Sequence, residues 1–193
     1  MLPGLIPRIV VDGVDVTPAL VALTIITVGV AFALGLARGR GVRYALWAGL
    51  LVTLLVIGAV TLGSVLTDHG TGAQGVNLVP FQEIQRGLDH RGTVAWTNLV
   101  GNVILFIPLG LAVAGLVRGG FWFRLISALA AGLVLSTAIE ITQYTGGRVA
   151  DIDDIILNGA GALLGGLVGA TLGGIAEHRS RRADRTTDQP PPA

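Results

Sequence analysis

Long apolar runs separated by short polar breaks dominate this chain. Five runs reach the roughly 20 residues that a helix needs to cross about 30 Å of hydrocarbon: Thr17 to Ala37, Tyr44 to Leu66, Thr97 to Val117, Leu125 to Tyr144, and Ile155 to Ala176. Glu140 is the one charged residue inside them. The pattern predicts an all-α fold, a polytopic transmembrane bundle of five spans occupying residues 17–176. The longest break, Thr67 to Trp96, contains Pro80, which suits the first position of a helix. Phe81, Ile84 and Leu88 then share one face while Gln82, Glu83 and Arg86 point elsewhere, so a short amphipathic helix is expected to lie in the membrane interface. It is too short to span.

The first sixteen residues lack the basic segment and cleavage site of a signal peptide, so the first span is expected to be retained. Asp12-Gly13 would suit a hairpin turn between Val11 and Val14, but an irregular external segment is the expectation for residues 1–16. From Glu177 the chain turns polar and ends in Pro190, Pro191, Pro192 and Ala193. Residues 177–193 read as a disordered cytoplasmic tail.

Composition agrees with a membrane protein: 13% of the 193 residues are charged and 52% hydrophobic, against about a quarter charged in soluble domains. Cysteine is absent, which excludes disulfides and thiolate metal sites. Besides histidine the basic residues are all arginine, and their distribution carries the information. Arg38, Arg40, Arg43, Arg118, Arg124, Arg179, Arg181, Arg182 and Arg185 fall in breaks on one side of the bundle, whereas Arg8, Arg86, Arg91 and Arg148 fall on the other. The positive-inside rule then puts the N-terminus outside, the C-terminus in the cytoplasm, and Thr67 to Trp96 outside.

In that orientation polar residues from three spans reach one depth. Asn102 in the third span, Glu140 in the fourth and Asn158 in the fifth each lie roughly 6 to 8 Å below the outer boundary, at about 1.5 Å of rise per residue. Asn98 shares a face with Asn102, Gln143 with Glu140, and Asp154 with Asn158. Arg148 is the expected partner of Glu140 or of a nearby aspartate, because a buried carboxylate otherwise takes up a proton or stays costly. Asp151, Asp153 and Asp154 open the fifth span, where carboxylates cap free amides and suit the positive helix end. Capping and chemistry stand as equal readings of these three.

Asp153 and Asp154 are hard oxygen donors of the kind that suit calcium or magnesium, but their spacing matches no calcium loop and no metal is expected. Nor is a cofactor: the chain has no nucleophile elbow, histidine-based zinc pattern or phosphate loop. The dispersed arginines exclude nucleic acid as a partner. In the fifth span Gly161, Gly165, Gly169 and Gly173 form a ladder along one face, which lets another helix approach to backbone contact. Packing within the monomer is the first expectation for it and a homodimer seam the alternative. Pro108 deprives the carbonyl of Ile104 of its donor and predicts a kink in the third span.

An ordered set of segments then resembles the VanZ-like family of small bacterial membrane proteins. These are Asn77 to Phe81, Asn98 to Gly110, Glu140 to Gln143, and Arg148 followed by Asp151 to Gly161, together covering roughly Asn77 to Gly173. The resemblance implies a multi-pass plasma-membrane protein related to one that confers resistance to the glycopeptide teicoplanin by altering the cell surface. Asn77, at the start of the first segment, thereby joins the candidate site.

Three readings of function follow. In the first, an outer-leaflet polar pocket made by Asn77, Asn98, Asn102, Glu140, Gln143, Arg148, Asp151, Asp153, Asp154 and Asn158 engages a membrane lipid or lipid-linked envelope component. In the second, an enzyme acts there with Glu140 as general base and Arg148 holding a phosphate. In the third, the cluster is a folding lock between spans.

Overall fold

The computed structural model describes residues 10–11, 14–15, 40–67 and 75–187. The elements are β1 (Val10–Val11), β2 (Val14–Asp15), α1 (Gly41–Thr67), β3 (Gly75–Asn77), α2 (Gln82–Asp89), α3 (Val94–Leu116), α4 (Phe121–Thr145), β4 (Val149–Asp151) and α5 (Ile152–Thr187). The protein is mostly helical, and four of these helices (α1, α3, α4, α5) are long and apolar enough to cross a membrane. The expected span Thr17 to Ala37 lies outside the described residues.

Helix α5 is the centre of the bundle. Half of its most apolar window is buried, against 17 to 28% in the other three. The reason is the glycine ladder. A Cβ at Gly161, Gly165 or Gly169 would run into the carbonyl oxygen of Val103, Ile107 or Leu111 respectively, and one at Gly110 into that of Ala162. Two backbones thus meet along successive turns of α3 and α5, which only glycine permits. On its other side α5 meets α4 through small residues, Gly132 against Ala162 and Gly166 against Ala128. Phe106, Leu109 and Ala162 join Ile57 of α1 in the core, and Ala114, Ala128 and Ala170 form a second cluster nearer the other end. The ladder face is therefore occupied by α3 within one chain. Helix α3 carries Pro108 in its interior and stays one helix from Val94 to Leu116.

Four boundaries differ from the sequence reading, each for a local reason. Val10–Val11 and Val14–Asp15 pair as an antiparallel ladder, regular structure at four positions of the segment expected to be irregular; its other residues lie outside the described ones. Helix α5 runs on to Thr187: once nucleated by a packed span, a helix continues into polar residues at little cost, so Glu177 to Thr187 is helical where disorder was expected; the rest of that tail lies outside the described residues. Helix α2 begins at Gln82 with Phe81 at its N-cap, so Pro80 precedes the helix rather than opening it. Arg124 lies inside α4 rather than in a loop; it is 5% exposed, and its Nε and Nη1 donate to the carbonyls of Gly119 (2.8 Å) and Ala114 (3.0 Å). It satisfies carbonyls at the end of α3 and complements the negative helix terminus there.

Candidate functional site

The polar residues gather where α4 ends and α5 begins. Helix α4 stops at Gly146 and Gly147; Gly147 has φ +86°, a conformation that suits glycine. The amides of Gly146, Gly147 and Arg148 turn back onto the carbonyls of Thr142, Tyr144 and Gln143, closing the helix as C-terminal caps do. The chain then reverses through β4 directly into α5, which brings Asp151 beside Glu140. The Asp151 amide donates to Glu140 Oε2 at 2.8 Å.

Strand β4 pairs in parallel with β3, setting Asn77 opposite Asp151. Asn77 Nδ2 donates to Asp151 Oδ2 (3.0 Å), and the other oxygen of Asp151 accepts from the amide of Asp153 (2.9 Å). Asp151 thereby serves as N-cap of α5.

Asp153 is fully buried and caps a different helix. Its Oδ1 accepts from the amide of Phe81 (2.6 Å), and its Oδ2 from those of Glu83 (2.7 Å) and Ile84 (3.2 Å). These are free amides at the start of α2, so the carboxylate meets both the orphan donors and the positive helix end. Phe81 has φ 70°, a left-handed conformation that costs a bulky residue energy and persists only where the surroundings impose it. Here the Phe81 amide is held by the Asp153 carboxylate.

Asp154 joins α5 to α3, with Asn102 Nδ2 donating to its Oδ1 at 2.6 Å. Arg148, half-buried, exerts its charge on both Glu140 and Asp154. One turn deeper in the bundle lies a second polar layer: Asn158, four residues beyond Asp154, donates through Nδ2 to Ser136 Oγ, four residues before Glu140, at 2.9 Å. Asn158 is 4% exposed and Ser136 fully buried, and Asn158 Oδ1 is a buried oxygen with no hydrogen-bond partner. Assignment of oxygen and nitrogen on this amide follows the hydrogen-bond network; in either assignment one polar atom of the layer lacks a partner.

Of the ten residues singled out from sequence, eight are thus brought to one end of the bundle. Asn98 is exposed on α3 and makes no side-chain hydrogen bond to a described residue, and Gln143 contributes its backbone carbonyl to Arg148. Ser136 was missed. Its signal was present, because it stands one turn inward from Glu140 on the same face of α4. The amides of α2 that receive Asp153 carry no side-chain signal at all. Among the described residues no three acids or histidines are placed to share a metal ion.

No curated protein and no solved structure matches the chain. The VanZ/LLP1 family matches residues 44–173, from α1 through most of α5 and including every polar residue described above. This protein, with four described helices long and apolar enough to cross a membrane and polar layers at one end of them, belongs to the VanZ/LLP1 family.

Proposed function

We propose that this chain is a multi-pass protein of the bacterial plasma membrane that binds the polar headgroup of a cell-envelope lipid at the Glu140–Asp154 end, and so alters the response of the cell surface to glycopeptides of the teicoplanin type. The observation that carries the reading is a shortage of donors. Four carboxylates (Glu140, Asp151, Asp153, Asp154) gather at this end, where Arg148 exerts its charge on Glu140 and Asp154, and beneath them Asn158 Oδ1 is buried without a partner. A carboxylate offers about four acceptor positions, yet Glu140 and Asp154 each take one described amide donor. A headgroup rich in donors, hydroxyls or an ammonium, suits this end better than a phosphate, which would add negative charge. Val76, Leu78, Val79, Phe81 and Leu88, all exposed on the β3–α2 segment, support its lying in the membrane interface next to such a headgroup. The arginine distribution supports an outward-facing site and a cytoplasmic C-terminus.

A lock between helices is favoured by one specific feature, the commitment of Asp151 and Asp153 to backbone amides. The two readings divide the cluster rather than compete for it: Asp151 and Asp153 hold the elements, while Glu140, Arg148, Asp154 and Asn158 meet the ligand. Burial of Glu140 to 5% exposure and its bond to the Asp151 amide support a positioning role over proton abstraction.

The test compares membrane yield with teicoplanin susceptibility in cells that depend on this protein. Glu140→Gln and Arg148→Gln are each expected to abolish the phenotype. Each leaves a charge with a lost counterpart and lowers the melting temperature, and the double variant is expected to recover folding without function, with a coupling of about 0.5 to 3 kcal/mol. Full function in the double variant would make the cluster scaffolding. A cysteine at Gly146 that labels only from the cytoplasmic side would move the site to the inner leaflet.

A further inference from the structure

At the opposite end of the bundle, we propose, the protein holds an anionic phospholipid, with its phosphate among arginines and an acyl chain along α1 and α3. A cavity of about 310 Å³ opens there, lined by Arg43, Arg118 and Arg124 together with Leu46, Leu111 and Leu172. Among the described residues no carboxylate lines it, and α1, which contributes Val42 and Arg43, carries no acid in its first turn. Gly169 and Gly173 form part of its wall, and a Cβ at Gly173 would stand 2.7 Å from Arg124 Nη1. The absence of side chains there keeps the cavity open up to the guanidinium.

The three arginines are not equivalent. Arg124 is held by the carbonyls of Ala114 and Gly119, so its charge is fixed in place before any ligand arrives. Arg43 and Arg118 are exposed at the rim, where their long side chains are able to close on a phosphate. A second cavity of about 430 Å³ shares Val42, Leu46 and Leu111 with the first and continues along Ala45, Gly49, Ile107, Pro108 and Ala112. That groove is apolar throughout. A basic cup joined to an apolar groove between membrane-spanning helices matches a lipid, one part to each region, and basic pockets between spans on the cytoplasmic side are where anionic headgroups collect. A free anion would leave the groove unused, and a zwitterionic lipid would bring a second, positive charge up to the exposed Arg43 and Arg118. This site shares no residue with the Glu140–Asp154 end, so the two proposals stand or fall separately.

The experiment follows melting of the full-length protein in neutral detergent with dioleoylphosphatidylglycerol, dioleoylphosphatidylcholine or inorganic phosphate added. Phosphatidylglycerol is expected to raise the melting temperature by about 3 °C or more, and the other two by much less. Arg43→Gln combined with Arg118→Gln should remove the shift while leaving the lipid-free melting temperature unchanged, because both side chains are exposed. Ala45→Phe fills the groove without altering charge, and should reduce the shift as well. An equal shift with phosphatidylcholine, an equal shift with inorganic phosphate, or a shift that survives both variants overturns the proposal; the last would transfer the effect to the arginines beyond Ala176.

Discussion

At its first turn, helix α5 is fixed to its neighbours by carboxylates that reach backbone amides; from Gly161 onward it is fixed against α3 by glycines, which have no side chains. Asp153 spends both oxygens on three amides of α2, while Gly161, Gly165 and Gly169 let α3 approach until their backbones touch carbonyls. The difference follows from the surroundings. Within lipid, burying apolar surface between helices gains little, because the tails are as apolar as leucine, so shape and close contact decide association. At the end of the bundle, chain reversals leave amides and carbonyls unpaired, so hydrogen bonding decides instead. The seam tolerates no added volume, and the polar end tolerates no lost acceptor.

The largest expected effect breaks the seam. Gly165→Leu drives a side chain into the Ile107 carbonyl and is expected to cost about 3 kcal/mol or more, whereas Leu164→Ala one residue earlier, at a half-exposed position, should cost roughly 0.5 kcal/mol. Thermal unfolding in detergent measures both. Equal melting temperatures would mean that α3 and α5 are not in backbone contact.

Next in size is the cap. Asp153→Ala leaves three amides of α2 without their acceptor and should cost about 2 kcal/mol, confined to one place. Hydrogen exchange should speed up at Phe81, Glu83 and Ile84 and stay unchanged at Ile107 and Leu111. Equal acceleration in both regions would show that polar end and seam unfold as one unit, and the contrast between them would lose its energetic meaning.

Smallest is the deeper polar layer. Ser136 and Asn158 meet within the membrane-spanning part of the bundle, where a hydrogen bond between helices averages about 0.6 kcal/mol in double-mutant cycles. A cycle of Ser136→Ala with Asn158→Ala should return a coupling near that figure. A coupling well above about 2 kcal/mol would make this layer a structural anchor and remove Asn158 from the ligand-facing set.

What the sequence determined by itself are the properties that depend on neighbours along the chain. Four of the five apolar runs correspond to helices long and apolar enough to cross a membrane, because that property is a matter of run length, and the ladder from Gly161 to Gly169 announced a close helix approach through its spacing alone. Depth was legible to within a turn: a constant rise per residue puts Asn102, Glu140 and Asn158 near one level, whereas in the structure Asn102 meets Asp154 and Asn158 lies one turn deeper, beside Ser136. Partner choice was not. Nothing near Asp153 in sequence says that its oxygens go to amides some 70 positions earlier, nor that Asn77 would face Asp151 across a parallel pair, because those contacts exist only after α2 and β3 fold back over the start of α5. Arg124 shows the same limit from the other side: counted by position it is a loop charge that orients the bundle, and only the approach of α3 and α5 turns it into a buried donor to carbonyls that no local pattern could have marked as empty.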